Sequence, residues 1–245
     1  MKPIPILMYH QIDHTPPKGT PMRGLVVSPR NFYWHMLCMW LCRYRGLSMT
    51  GLEPYLNGEK EGRVFGITFD DGYLNNLLNA MPVLNRFGFT STCYVVADRI
   101  GQTNVWDQHH GIPQVPLMNL QHLQDWIRGG QEVGSHGMTH SNLTSLNDVQ
   151  KAHEIKQSRG VLQKVLKTAQ EVRHFCYPYG AFDAASAQFV KAAGYITATT
   201  TQRCRVSMAG SPDLMQLPRV LVSRTTTWMH LLLKCFTRYE DRSVG

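Results

Sequence analysis

The chain has 245 residues, enough for one large domain with a substantial core, and 43% are hydrophobic, an ordinary level for a globular protein. Its formal net charge of +8 favours anionic surfaces, but the lysines and arginines are scattered without a basic run, which argues against nucleic acid as a partner. No stretch approaches the roughly 18–20 apolar residues of a membrane span.

In chain order, Ile4 to Tyr9 reads as a first strand that ends at His10, followed by a loop rich in proline and glycine. Ser28-Pro29 predicts a helix start, an N-cap with proline at the first helical position. Phe32, Met36, Met39 and Arg43 follow at helical spacing, and Gly46 is expected to close the segment. Leu52 to Gly62 reads as a turn-rich approach to a short buried strand, Val64-Phe65-Gly66-Ile67, which delivers Asp70-Asp71-Gly72. Leu74, Leu77, Leu78, Met81 and Leu84 form a helical stripe that stops at Gly88, and the β-branched and aromatic run Thr90 to Ala97 predicts a strand. Gly101 to Met118 is polar and proline-bearing, a long loop holding Trp106, Asp107, His109 and His110.

Asn119 is placed to cap a helix that ends at Gly129-Gly130, and the strand Glu132-Val133-Gly134-Ser135 delivers His136. A long helix follows from Asn147 or Asp148 to about Lys167, then a strand over Arg173 to Tyr177. Asp183 caps a helix through Ala193, Tyr195 to Thr201 and Arg219 to Ser223 are strands, and a last helix covers about 226–238. Strands alternate with helices throughout and no linker divides the chain. The pattern predicts a single α/β domain over residues 1–245 with a parallel sheet, open or closed as a barrel. In such folds chemistry gathers at the carboxyl ends of the strands. His10, Asp70, Asp71, His136 and the Pro178-Tyr179-Gly180 turn all sit there.

Two adjacent carboxylates at a strand end are costly unless a cation compensates them. One can bind a metal while the other stays free to take a proton. His136 and His140 are four apart, so on one helical turn they share a face and could converge on the same ion. His, His and Asp make an open site, since three protein ligands leave a position for water.

Thr68-Phe69-Asp70-Asp71-Gly72, His136-Gly-Met-Thr-His140 and Arg173-His-Phe-Cys-Tyr-Pro178-Tyr179-Gly180 resemble, in order and character, the motifs of the NodB-type polysaccharide deacetylases, the family-four carbohydrate esterases. The opening with Tyr9-His10 looks like the subgroup that includes the poly-N-acetylglucosamine deacetylases of exopolysaccharide biosynthesis. The resemblance covers about residues 3–225. It implies a distorted (β/α) barrel that hydrolyses acetyl groups from N-acetylated sugars, with Asp71, His136 and His140 holding a divalent metal, usually zinc. Asp70 would be the general base that deprotonates the metal's water, Arg173 would orient and charge-balance Asp70, and the backbone N–H of Tyr179 would stabilise the oxyanion. Tyr9, Pro178 and Gly180, with Trp106 and Asp107 of the long loop, are candidate substrate contacts.

The acid half departs from the family pattern. Most members carry a catalytic histidine in a leucine-rich motif near the C-terminus, and here the nearest string is Trp228-Met229-His230-Leu231-Leu232, inside a helix. In the biofilm-type subgroup the N-terminal Tyr-His supplies that histidine, so His10 is preferred to His230 as the acid that protonates the departing amine. Asp107 and Asp213 are the candidates for a carboxylate that tunes it.

Three readings compete: an N-deacetylase of a polysaccharide, oligosaccharide or lipid-linked glycan; a deformylase or other deacylase of a lipid- or nucleotide-linked sugar; and a non-catalytic carbohydrate-binding relative. Retention of Asp70, Asp71, His136 and His140 counts against the third. The start, Met1-Lys2-Pro3-Ile4-Pro5-Ile6, lacks a signal peptide's apolar region, and the six cysteines include no CxxC pair. Cytoplasmic action, at the inner membrane face, is therefore expected. The last helix, with Trp228, Leu231-Leu232-Leu233, Lys234 and Arg238, is a candidate for peripheral membrane contact.

Overall fold

The computed structural model describes residues 2–167 and 169–241. Seven parallel strands close a barrel: β1 (Ile6–Tyr9), β5 (Val64–Phe69), β6 (Thr92–Val95), β7 (Glu132–Ser135), β8 (His174–Cys176), β9 (Thr197–Arg203) and β10 (Leu217–Leu221), with β1 pairing both β5 and β10. The short strand β4 (Arg45–Leu47) pairs Val64–Gly66 of β5, below the point where β6 takes over the same edge at Thr68 and Phe69. Two further strands, β2 (Gln11–Ile12) and β3 (Val26–Val27), form a small sheet of their own.

The helices α1 (Pro29–Leu41), α3 (Met81–Phe87), α4 (Leu120–Arg128), α5 (Asp148–Leu166), α6 (Ala184–Ala192) and α7 (Trp228–Phe236) follow the strands. Most starts come from local capping: the side chains of Ser28, Asn119, Asn147, Asp183 and Thr227 each accept a backbone N–H of the first turn. Gly88, at φ 65°, ends α3 in the left-handed region that suits glycine.

The period-2 alternation of side chains sorts the core into two layers. Leu7, Tyr9, Phe65, Ile67, Phe69, Cys93, Val133, Phe175, Val220 and Val222 point outward and pack under the helices. Ile6, Tyr94, Cys176 and Leu217 point inward and pack with Met49, Leu52, Tyr55 and Leu56. Those last four belong to α2 (Met49–Leu56), a helix that plugs the amino-terminal end of the barrel.

Here the sequence expectation fails. Residues 52–62 read as turns because of Pro54, Gly58 and Gly62, yet the capped start at Ser48 and the burial of an apolar face carry α2 past Pro54 at the cost of one backbone hydrogen bond. Gly46 likewise does not close α1. It lies within β4, where a Cβ would fall 2.6 Å from the Ile67 side chain and 2.9 Å from Phe89, so only glycine fits. Among the described residues no helix is long and apolar enough to cross a membrane.

Candidate active site

The carboxyl ends of the strands surround a cleft of about 370 Å³, lined among others by His10, Asp70, Asp71, Asp107, His136, His140 and Tyr179. Inward parity brings Asp70, just past β5, and His136, just past β7, into this space. Asp71 would point away if the strand continued. It adopts φ 74° instead, and Gly72 follows at φ 81°, so the turn returns its carboxylate to the cleft. Six described residues other than glycine have positive φ, and Asp71, His140 and Tyr179 are three of them. Such conformations cost about 1–3 kcal/mol each and persist only where surrounding contacts hold them.

For His140 the holding contact is Glu154 of α5. Its buried carboxylate accepts the backbone N–H groups of Met138 and Thr139, both at 3.0 Å, and the Thr139 hydroxyl at 2.7 Å. His140 is also sandwiched, with Trp106 stacked at 4.6 Å between ring centroids and the edge of Tyr179 at 4.5 Å. A Cβ at Gly180 would lie 2.0 Å from the Thr201 hydroxyl, so glycine here lets the Tyr179 turn close against β9.

Asp71 Oδ1 lies 3.5 Å from His136 Nε2 and 3.3 Å from His140 Nε2, all three residues being buried. His136 Nδ1 donates to the Cys176 carbonyl at 2.8 Å, which fixes the tautomer and leaves Nε2 with a free lone pair toward Asp71. One carboxylate and two imidazoles, with ligand atoms within 4.8 Å of one another, fit a divalent cation such as zinc. A second set, Asp70, His136 and Cys176, is equally compact. It is the poorer site, because both Asp70 oxygens are already held by a cation.

That cation is Arg219, not Arg173. From the inward face of β10, Arg219 donates through Nη1 to Asp70 Oδ1 at 2.6 Å and through Nη2 to Oδ2 at 2.8 Å. It also donates to the Thr68 hydroxyl, the Thr200 carbonyl and Cys176 Sγ. Arg173 stands at the opposite end of the barrel, before β8, and pairs with Glu53 of α2 at 2.8 Å. The length of a strand separates it from Asp70. The signal for Arg219 was present in the sequence: a charged residue at an inward position of the apolar strand Leu217–Leu221.

Burial would raise the Asp70 carboxyl, but the charge and hydrogen bonds of Arg219 outweigh it and hold Asp70 below its ordinary value. Burial also opposes ionisation of Asp71, and the neighbouring imidazoles of His136 and His140 outweigh it and keep the carboxyl well below the usual range. Asp107 is shifted upward, by burial and then by the charge of Asp71.

His10 lines the cleft with Nε2 3.9 Å from Asp70 Oδ2, and its backbone carbonyl accepts from Asn76 Nδ2 at 2.7 Å. His230 is exposed on α7 and does not line the cleft. Of the candidate substrate contacts, Asp107 alone lines it. Tyr9 points outward by strand parity, packs on Phe32 and Phe69, and its hydroxyl lies 3.1 Å from His35 Nδ1. Pro178 is buried beneath Gly137, Gly180 sits against Thr201, and Trp106 covers His140 instead of the open space. Asp213, the other candidate to tune the acid, turns its carboxylate back to the backbone N–H of Met215 at 2.8 Å, outside the cleft. A signal absent from simple spacing is the register shift between β9 and β10, which splays the end of β9 and brings Thr201 and Arg203 to the rim.

The family model for polysaccharide deacetylases matches residues 57–198. YxkH of Bacillus subtilis (strain 168), which carries the polysaccharide deacetylase name provisionally, is 26% identical over 201 residues, 81% of this chain and 64% of that protein. The poly-beta-1,6-N-acetyl-D-glucosamine N-deacetylase of Staphylococcus aureus (strain MRSA252) is 24% identical over 194 residues, 75% of this chain and 64% of that one. The chain thus spans somewhat less than two thirds of the length of these relatives. The Streptococcus pyogenes deacetylase PplD, solved with acetate, superposes with a TM-score of 0.81 at 24% identity over 96% of this chain and 98% of its own, and so shares the fold.

Proposed function

Because the chain belongs to the polysaccharide deacetylase family, we propose that it is a metal-dependent hydrolase that removes N-acetyl groups from an amino-sugar glycan. The observation that carries the reading is the convergence of Asp71, His136 and His140 beside a second carboxylate, Asp70, held by its own arginine. A divalent cation, most simply zinc, held by those three residues would supply Lewis-acid activation of water and of the amide carbonyl.

The protein's own groups divide the proton chemistry. Asp70, kept ionised by Arg219, accepts the proton of the attacking water. The backbone N–H of Tyr179, on its constrained turn beside His140, is placed to donate to the oxygen that gains charge. His10, with Nε2 3.9 Å from Asp70 Oδ2, supplies the proton that lets the amine depart. Asp107 offers a carboxylate to the sugar at the cleft wall. The Tyr9-His10 opening and the Staphylococcus relative together favour a poly-N-acetylglucosamine-type glycan. Peripheral contact with a membrane face through α7 is part of this reading, supported by exposed Trp228, Leu233 and Phe236.

The test is acetate release from N-acetylglucosamine oligomers and from lipid-linked amino sugars, with chelated enzyme and with zinc restored. Release that vanishes on chelation and returns with zinc is expected. No release from either substrate, with one metal bound per chain, would move the activity to another acyl group, such as formyl, or to binding alone.

A further inference from the structure

Three of the five tryptophans in the chain, Trp34, Trp40 and Trp228, are exposed, and all lie on two helices that pack side by side, α1 and α7. Around α1 the exposed and half-buried aromatics form a connected strip. Phe236 of α7 meets Tyr44 at 4.8 Å between ring centroids, Trp40 meets Phe87 of α3 at 6.1 Å, Phe87 meets Tyr33 at 5.6 Å, and Tyr33 meets Trp34 at 6.1 Å. Leu41, 64% exposed, extends the strip between Trp40 and Tyr44.

The charge around the strip is predominantly positive. From His14 to Leu52 the sequence holds Lys18, Arg23, Arg30, Arg43 and Arg45 and no Asp or Glu. Helices α1, α3 and α7 contain no acid either. Arg43 and Arg45 edge the groove that holds Trp40 and Leu41, Arg63 and Lys2 edge the groove that holds Phe236, and Arg86 lies over the Tyr33 ring at 5.4 Å. None of these arginines is ion-paired with a described residue. The acids at the margin are Glu240 and Asp241, which are taken up by Lys234 and by Arg205, and Glu61, in the neighbouring groove with Lys2 and Arg63.

We infer that α1, with the carboxyl-terminal ends of α3 and α7, is a docking face for an anionic lipid bilayer, and that it holds the cleft away from that bilayer. Tryptophan and tyrosine rings among arginines match the interface of a membrane, where an apolar ring and a polar edge are both satisfied and the cations meet lipid phosphate. A second copy of the chain is a poorer occupant, because a two-fold contact would set each arginine edge against its own like.

The orientation follows from the fold. Barrel helices run back against the strands, so Trp40, Leu41, Tyr44, Phe87 and Phe236 gather at the end opposite the cleft. Helix α1, with 13 residues, spans about 20 Å of that height. This rests on the α7 contact proposed above but narrows it to the Phe236 end of that helix, Trp228 being its first residue and on the cleft side. It selects a glycan strand reaching off the surface over a sugar at the headgroup level of the docked bilayer.

The test is co-sedimentation with phosphatidylcholine vesicles, with and without phosphatidylglycerol, for the wild-type chain, Trp34→Ser/Trp40→Ser and Trp228→Ser. All three substitutions are at exposed positions, and circular dichroism checks that each variant folds. The wild type should bind the anionic vesicles, release at high salt, and bind neutral ones weakly. The α1 double variant should bind roughly tenfold more weakly or worse. Loss with Trp228→Ser but not with the double variant would leave the C-terminal helix alone as the contact and overturn the inference. So would equal binding to neutral vesicles, no binding, or a dimer dissolved by the α1 substitutions. Sedimentation needs no turnover, so its failure is separate from failure of the deacetylase reading. A soluble acetylated oligomer should be hydrolysed equally well by free and vesicle-bound enzyme, and inhibition on binding would overturn the orientation.

Discussion

Arg219 holds both oxygens of Asp70 from the facing wall of the barrel, at 2.6 and 2.8 Å, with both residues buried. A guanidinium fork matched to a carboxylate in this way fixes the plane of the acid as well as its charge. Removing one partner leaves the other as an uncompensated buried charge. Arg219→Ala should therefore lose about 3–5 kcal/mol in urea unfolding and nearly all turnover, and Arg219→Lys should recover stability before activity. Unchanged turnover in Arg219→Ala would remove Asp70 from the chemistry.

The same pair sets a pH dependence. The folded Asp70 lies below its ordinary value, so its contribution to stability is complete above the unfolded carboxylate range near about 3.9 and is lost as pH falls through the lower folded value. In Arg219→Gln burial remains and the compensating charge is gone, so the Asp70 value should rise. The acid limb of kcat/KM should then move to higher pH than in the wild type. A limb that stays in place would mean that another group controls it.

Asp70→Asn should reduce turnover by a factor of about 10²–10⁴ while one metal per chain remains bound, since Asp71, His136 and His140 are untouched. Metal analysis of the purified variant decides this. Metal lost together with activity would make Asp70 a ligand and not the base.

His10→Ala should lower kcat in the same range of about 10²–10⁴, whereas His230→Ala, at an exposed site on α7, should leave turnover near the wild-type value. The reverse result would return the acid to the C-terminal helix.

Glu154→Gln tests the support of the His136–His140 loop. It keeps the shape but weakens three hydrogen bonds to the loop. Metal affinity should fall about 10–100-fold, measured by competition with a chromogenic chelator. Arg173→Ala is the contrasting case. Its pair with Glu53 is partly exposed at the far end of the barrel, so turnover should be unchanged and stability should move by no more than about 1 kcal/mol.

The sequence by itself determined the alternation of strands and helices, most helix starts and the residues that end at the mouth of the barrel. These are local matters: an N-cap acts within three residues, and a strand's parity decides whether Asp70 or His136 can face inward. Tyr9 shows the same rule from the other side, since counting along β1 puts it outward whatever the motif around it suggests. Helix α2 was hidden because Pro54 and two glycines speak against a helix locally, whereas its stability comes from a barrel end that only the closed sheet creates. The choice of Arg219 over Arg173 was likewise tertiary. One lies near the motif in sequence, but Asp70 meets what stands across the barrel, and strands distant in sequence become facing walls only when β1 pairs with both β5 and β10.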